Sequence, residues 1–296
     1  MRSSPVVDLA PPPPGGDPPA RGADPPEHPA APRALPRLRR RLRNRLAELD
    51  GLYLPLARLA RPDHAVGPAT ELVVEGFPRS ANSWIEGCVR EAWPGLRVAQ
   101  HLHAAASLRA AARRGLPAML LLRAPEAAVA SLLLREPAIY DPALGFEEYV
   151  RFHAGLAGAV DRLLVVPFEA ATGPFPAVAR ALVARFALDW PVPDWSPARE
   201  AGAWAQVDRL TRDRVGRAHV SYSPAQAEAE RARRGARAAA AAEVVARAAA
   251  ADPRVARLQV RARAWHDVLR ARAPAGLSAP PPLPGPSAPP PEGAAR

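Results

Sequence analysis

Lysine is absent from this chain. All 40 basic residues of the 296 are arginine, against 29 acidic ones, for a formal net charge of +11. A GC-rich coding bias, which favours Arg, Ala, Pro and Gly codons, accounts for that skew. The charge alone therefore does not mark a nucleic-acid binder. Aromatic residues make up only 5%, too few for a surface that stacks the bases of a single strand. The one cysteine, Cys88, excludes an internal disulfide framework and a cysteine-built zinc site. It suits a reducing cytoplasm, where we expect the protein. The N-terminus has no continuous apolar core of the signal-peptide kind. No apolar run reaches the roughly 18 residues of a membrane span. The nearest, residues 116–134, is broken by Arg123, Pro125 and Glu126.

Proline, by contrast, is abundant and unevenly placed. Of 38 in the chain, 12 fall in residues 1–36 and nine in 274–296. Segments of that composition lack the apolar content to offset chain entropy and read as disordered or polyproline-like tails. The expected folded part is 37–272, one α/β domain with appended helices.

Within it, short apolar runs alternate with helical periodicity. Residues 37–60, with leucines at 38, 42, 46 and 49 among arginines, read as a helix. Two roles fit: a basic helix on an anionic membrane or nucleic acid, or an amphipathic helix packed on the domain with its arginines in water. Strands are expected at 71–76, 96–102, 118–123 and 163–169. Helices are expected at 83–93, 107–115, from Pro125, at 146–161 and at 175–188. That alternation argues for βαβ units and a mostly parallel sheet. Residues 204–272 are Ala- and Arg-rich and helical throughout, giving a helical C-terminal part.

The chemistry concentrates at 71–87, "ELVVEGFPRSANSWIEG". A buried strand runs through a glycine turn into a helix. The first amides of that helix have no partner within it and point at whatever lies at its N-terminus. Ser80, Asn82 and Ser83 add side-chain donors, and Arg79 adds a permanent charge able to hold a tetrahedral anion. An ordinary capped strand-to-helix loop is the plain alternative. The nucleotide loop G-x-x-x-x-G-K-[ST] is not matched: Ala81 follows Gly76 where the second glycine would stand, and the lysine is missing.

"GFPRSANSW" resembles the 5′-phosphosulfate loop of the sulfotransferases that use 3′-phosphoadenylyl sulfate. "LLLRAPEAAVASLLLRE" is similar to that family's second motif, with Arg123 and Ser131 eight residues apart. "LLVVPFEAATGPFPAVARALVARFAL" is similar to its later strand–acid–helix segment, with Glu169 at the acidic position. The three stand in the family's order. The resemblance implies a P-loop-like three-layer α/β/α fold and transfer of a sulfuryl group from 3′-phosphoadenylyl sulfate to an acceptor hydroxyl or amine. The acceptor would be a small molecule or a carbohydrate. No metal, nucleic acid or transmembrane segment is expected. The alternative is a non-catalytic nucleotide- or anion-binding protein on the same fold.

By resemblance, Pro78, Arg79, Ser80, Ala81, Asn82, Ser83 and Trp84 form the 5′-phosphosulfate loop. Arg79 would stabilise charge on the leaving oxygen, and Arg123 and Ser131 would bind the 3′-phosphate. Two departures stand out. Ala81 replaces a loop glycine, so a Cβ enters where the backbone should approach the phosphate. Asn82 replaces a hydroxyl residue. His101 and His103 in "VAQHLHAAA" are the candidate bases for the acceptor proton; on a strand they would face the same side. Trp84 reads as core packing against the sheet as well as a loop residue. Glu86 and Glu169 read as structural. Tyr140 and residues 149–153 could line an acceptor pocket or form a buried helix face. Trp190, Trp195 and Trp204 could form a lid or a packed connector.

Overall fold

The computed structural model of the chain describes residues 34–215 and 228–278. Four strands, β1 (Leu72–Gly76), β2 (Val98–Gln100), β3 (Ala118–Leu122) and β4 (Leu164–Pro167), form one parallel sheet in the order β2-β1-β3-β4. The strands are short apolar runs because both faces are covered. Val73, Leu120, Leu122 and Val165 point into one core; Leu72, Val74, Met119, Leu121, Leu164 and Val166 point into the other. That alternation follows from the two-residue period of a strand.

The helices divide accordingly. On the first face lie α2 (Asp50–Ala60), α4 (Ala105–Arg114), α5 (Pro125–Arg135), α6 (Pro142–Ala154), α10 (Glu228–Ala251) and α11 (Pro253–Arg270). On the second lie α3 (Asn82–Ala92), the short α7 (Phe168–Ala171), α8 (Phe175–Phe186), α9 (Pro197–Val215) and α12 (Ala275–Ser278). The fold class is thus α/β, with a parallel sheet between helices. None of the described helices is long and apolar enough to cross a membrane.

Element boundaries depart from expectation where a cap or a side chain intervenes. Residues 37–60 form two helices, α1 (Ala34–Leu46) and α2. Asp50, opening α2, accepts from Arg109 at 3.0 Å and from Arg113 at 2.6 Å on α4, which anchors the second helix separately. The helix expected at 146–161 is displaced toward the N-terminus: Asp141 caps α6 by accepting from the Leu144 amide at 2.8 Å, with Pro142 at the first position. Strand β2 is only three residues, and His101 and His103 leave it with φ of +57° and +50°. The tail boundaries also move, because α1 starts at Ala34 and Leu277 of α12 is buried in the second core. The remainder of both expected tails lies outside the described residues.

Gly76 ends β1 for a steric reason. A Cβ there would stand 2.6 Å from the Leu121 carbonyl oxygen of the neighbouring strand. Lacking a Cβ, Gly76 lets β1 and β3 approach just where the chain turns toward the loop.

Candidate functional site

From β1 the chain turns into α3 on one face of the sheet; from β3 it turns into α5 on the other. Neighbouring parallel strands whose connections diverge in this way leave a crevice at their carboxyl ends, where ligands of open α/β sheets bind. A cleft of about 500 Å³ opens there. Segments after all four strands reach it: Arg79 and Ala81–Trp84 after β1, His101 and His103 after β2, Arg123 after β3, and Phe168 after β4. Helix α9 adds Trp204 and Val207, and α1 adds Arg40.

The β1–α3 loop gathers main-chain donors toward the cleft. Arg79 and Ala81 sit at φ of +73° and +68°, with Ser80 between them at negative φ. Left-handed residues alternating with ordinary ones gather successive amides into a concave nest. None of the main-chain N–H groups of Ser80, Ala81, Asn82, Ser83 or Trp84 donates to another described residue. They lie at the N-terminus of α3, an 11-residue helix whose dipole favours a negative charge. Ala81 therefore adopts the conformation that the missing glycine would have made easy. An L-residue there costs roughly 1–2 kcal/mol.

Side chains brace this loop from behind. Arg79 Nε donates to the Ser131 hydroxyl at 3.0 Å, and Arg123 Nη1 donates to the Arg79 carbonyl at 2.7 Å. The Arg123 guanidinium lies 4.2 Å from the Phe168 ring centroid, and its carbonyl accepts from the Tyr149 hydroxyl at 2.7 Å. Asn82 Nδ2 donates back to the Phe77 carbonyl at 3.2 Å. Of the expected ligand donors, Ser80 and Ser131 lie outside the cleft lining, and Asn82 lines it with its amide group engaged. Asn82 spends its amide closing the loop. Ser80 is fully buried, with no partner for its hydroxyl among the described residues, and does not line the cleft. Ser131 is buried behind Arg79 and does not line the cleft either. Arg79, Ser83, Trp84 and Arg123 do face it.

The two histidines line the cleft from a loop, not from a strand face. His103 Nδ1 is 3.0 Å from the Gly76 carbonyl oxygen. A carbonyl only accepts, so Nδ1 carries the proton and Nε2 is left with its lone pair. Nε2 has no partner among the described residues. Burial, and next the neighbouring His101, hold the His103 pKa well below its ordinary value, so the ring is neutral. Its main chain is fixed by Glu75, a buried β1 carboxylate that accepts from the amides of Leu102 at 2.8 Å and His103 at 3.0 Å.

His101 is held differently. Its Nε2 is 2.9 Å from Glu86 Oε2, on α3. Glu86 is fully buried and also accepts from Arg90 Nε at 3.0 Å and from the Gln100 amide. The rings of His101 and His103 are nearly perpendicular, 5.6 Å between centroids. No group of His, Cys, Asp and Glu among the described residues has the arrangement of a metal site.

An aromatic pair walls the cleft. Trp84 is half-buried and stacks on Trp204 of α9 at 4.4 Å. It packs against the second core, as expected, and lines the cleft as well. Of the three later tryptophans, Trp190 packs on Trp93 and Trp195 on Phe175, so the connector is docked on the second core and only Trp204 reaches the cleft. Tyr149 belongs to a buried face of α6, and Tyr140 is buried in the connection between α5 and α6. Glu169 pairs with Arg270 at 2.8 Å, away from the cleft.

Sequence reading missed the bracing carboxylates Glu75 and Glu86 as site residues. The available signal was a charge inside each apolar element: Glu75 within "LVVEG" and Glu86 beside the Ile85, Cys88 and Val89 positions. Comparison with family models, with curated proteins and with solved structures yields no match for this chain.

Proposed function

We propose that the protein is a sulfotransferase that moves a sulfuryl group from 3′-phosphoadenylyl sulfate to an acceptor hydroxyl on a small molecule or carbohydrate. The observation that carries this reading is the set of unpartnered amides from Ser80 to Trp84 meeting Arg79 and Arg123 in one crevice. A P-loop-like role for the β1–α3 turn is part of the same reading.

The residues present fit the donor. Its anionic end suits the amide nest and the two arginines, and a cleft of about 500 Å³ accepts a nucleotide-sized ligand. The donor brings a sulfuryl group on a phosphate leaving group, and its sulfur–oxygen bond breaks as the acceptor oxygen bonds to sulfur. Arg79 and the loop amides hold negative charge where it accumulates. Arg123 keeps Arg79 in position through its carbonyl and presents its own charge to the cleft. His103 accepts the acceptor proton at Nε2, because its Nδ1 proton is committed to Gly76 and the ring is neutral. Glu86 fixes His101 beside it. Trp84 and Trp204 form an apolar wall against which a flat base can lie.

A thermal-shift titration with 3′,5′-ADP against 5′-AMP tests the reading. A ligand that binds only the native state raises its melting temperature with concentration. Stabilisation by 3′,5′-ADP but not 5′-AMP is the expected result. No shift with either sinks it. A shift without sulfation of any acceptor in a broad panel favours the alternative, a binding protein without transfer.

A further inference from the structure

Twelve large apolar side chains are exposed among the described residues, and eight of them lie between Leu35 and Leu59. They are all leucines: 35, 38, 42 and 46 on α1, Leu49 at the junction, and 52, 56 and 59 on α2. Single exposed leucines are ordinary, but a cluster this dense marks an interaction surface.

On α1 the four leucines follow a spacing of three, four and four, so they form one stripe on one helix face. At the helical period, Arg41 and Arg45 fall along one edge of the stripe and Arg39 along the other, and all three are exposed. The opposite face is tied to the body by charge. Arg37 pairs with Asp141, and Arg40 pairs with Glu148 at 3.2 Å. No residue of α1 is buried. The helix is therefore held against the protein by ion pairs while its apolar stripe faces outward.

We propose that this surface docks the protein on a membrane rich in anionic lipid. An apolar stripe edged by arginines matches the acyl–headgroup boundary: leucines enter the apolar layer and guanidinium groups reach the phosphates. The other occupants match less of it. Helix α1 contains no Asp or Glu, so pairing α1 with α1 of a second copy sets arginine edges against each other with no acid between them. A nucleic acid takes the arginines and leaves eight leucines in water. The sequence before α1, residues 1–33, holds only Met1, Val6, Val7 and Leu9 as large apolar residues, too few to cover the stripe. Docking is peripheral, since no described helix crosses a membrane. Arg40 lies on the inner side of α1 and also lines the cleft. Lipid surface and cleft are then separated by about one helix diameter, ~10 Å. Docking is independent of the chemistry of the cleft.

The test is flotation of the full chain with vesicles of phosphatidylcholine alone and of phosphatidylcholine mixed with phosphatidylglycerol. Wild type is compared with Leu38→Ser/Leu42→Ser and with Arg41→Gln/Arg45→Gln. All four positions are exposed and outside both cores, and circular dichroism checks that each variant keeps its fold. Wild type should float with the mixed vesicles and not with phosphatidylcholine alone. The leucine variant should stay at the bottom with both. The arginine variant should bind about fivefold more weakly for each arginine removed. Failure of wild type to float, or flotation that survives the leucine changes, overturns the proposal. So does a stable dimer in sedimentation that the leucine variant abolishes, which assigns the stripe to a second copy.

Discussion

Arg123 donates through Nη1 to the main-chain carbonyl of Arg79, 2.7 Å away across the gap between β3 and the β1–α3 loop. One arginine thus shapes the backbone from which the other projects. Arg123→Ala should therefore lower stability without any ligand, by about 1–3 kcal/mol for a lost charged donor to a partly buried acceptor. It should also remove the thermal shift produced by 3′,5′-ADP. Arg79→Ala leaves that carbonyl in place and should lose the ligand shift with a smaller stability cost. Urea unfolding beside thermal-shift titration separates the two effects. Undiminished ligand binding by Arg79→Ala would show that the anion sits elsewhere.

The pH dependence of stability should have two limbs, an acid one led by His153 with His103 acting in the same sense, and an alkaline one led by Glu75 with Glu148 acting in the same sense. His153 is fully buried, donates through Nδ1 to the Tyr149 carbonyl at 2.8 Å, and has no partner for Nε2 among the described residues. Burial brings its pKa down to about 3. Below pH 6.5 the unfolded chain takes up a proton that the folded chain refuses. Stability is then lost as the pH falls from 6.5 toward 3, by about 1.4 kcal/mol per unit. Glu75 acts in the opposite sense. Burial pushes its pKa up to about 8, against the two amides that favour its charged form. Its contribution is complete below the ordinary value of 4.5 and is lost as the pH rises toward 8. Between 4.5 and 6.5 the two slopes oppose, so stability should be flattest there. His153→Phe should flatten the acid limb and Glu75→Gln the alkaline one. Unfolding free energies measured across that range decide the matter, and a variant whose curve merely shifts downward, parallel to wild type, counts against its assignment.

Much of this organisation is legible in the chain before any coordinates. The strands at 72–76, 118–122 and 164–167 announce themselves because both of their faces are buried, which produces unbroken apolar runs. The β1–α3 loop is legible because Arg79 and the short polar residues stand between such a strand and a helical period. What stayed hidden depends on long-range placement. His101 and His103 look like alternate residues of a strand, yet Glu75 draws the amides of Leu102 and His103 inward, and both histidines sit in the loop at positive φ. Trp204 lies 120 residues from Trp84 and meets it only because α9 packs on α3. Ser131 sits at the expected spacing from Arg123, but its hydroxyl is engaged by Arg79. Spacing located the cluster and could not assign which member faces the cleft.

Ala81 invites a stabilising substitution. Its φ of +68° is one that glycine adopts without a steric penalty. Ala81→Gly should raise stability by about 0.5–1 kcal/mol once the added backbone freedom of the unfolded chain is set against the relief of strain. Ala81→Val should do the reverse, because a β-branched side chain at positive φ is a true outlier. Chemical denaturation measures both. If glycine proves destabilising, the loop is not strained at this residue.

Gly87 offers a way to perturb the cleft from a position that does not itself line it. A Cβ at Gly87 would stand 2.6 Å from the Ala203 carbonyl oxygen and 2.7 Å from Val207 Cγ2, both on α9. The atom it meets first is backbone, so α9 itself must move outward. The same helix carries Trp204 against Trp84 and Val207 on the cleft wall. Gly87→Ala should cost about 1–3 kcal/mol of stability as overpacking. It should also change the tryptophan fluorescence and weaken 3′,5′-ADP binding. Gly51→Ala is the control: nothing lies within 4 Å of a Cβ at that exposed position of α2. There the same substitution should be neutral or stabilise by up to about 1 kcal/mol through helix propensity. Equal effects at the two glycines would mean that close approach of α3 and α9 does not set the cleft wall.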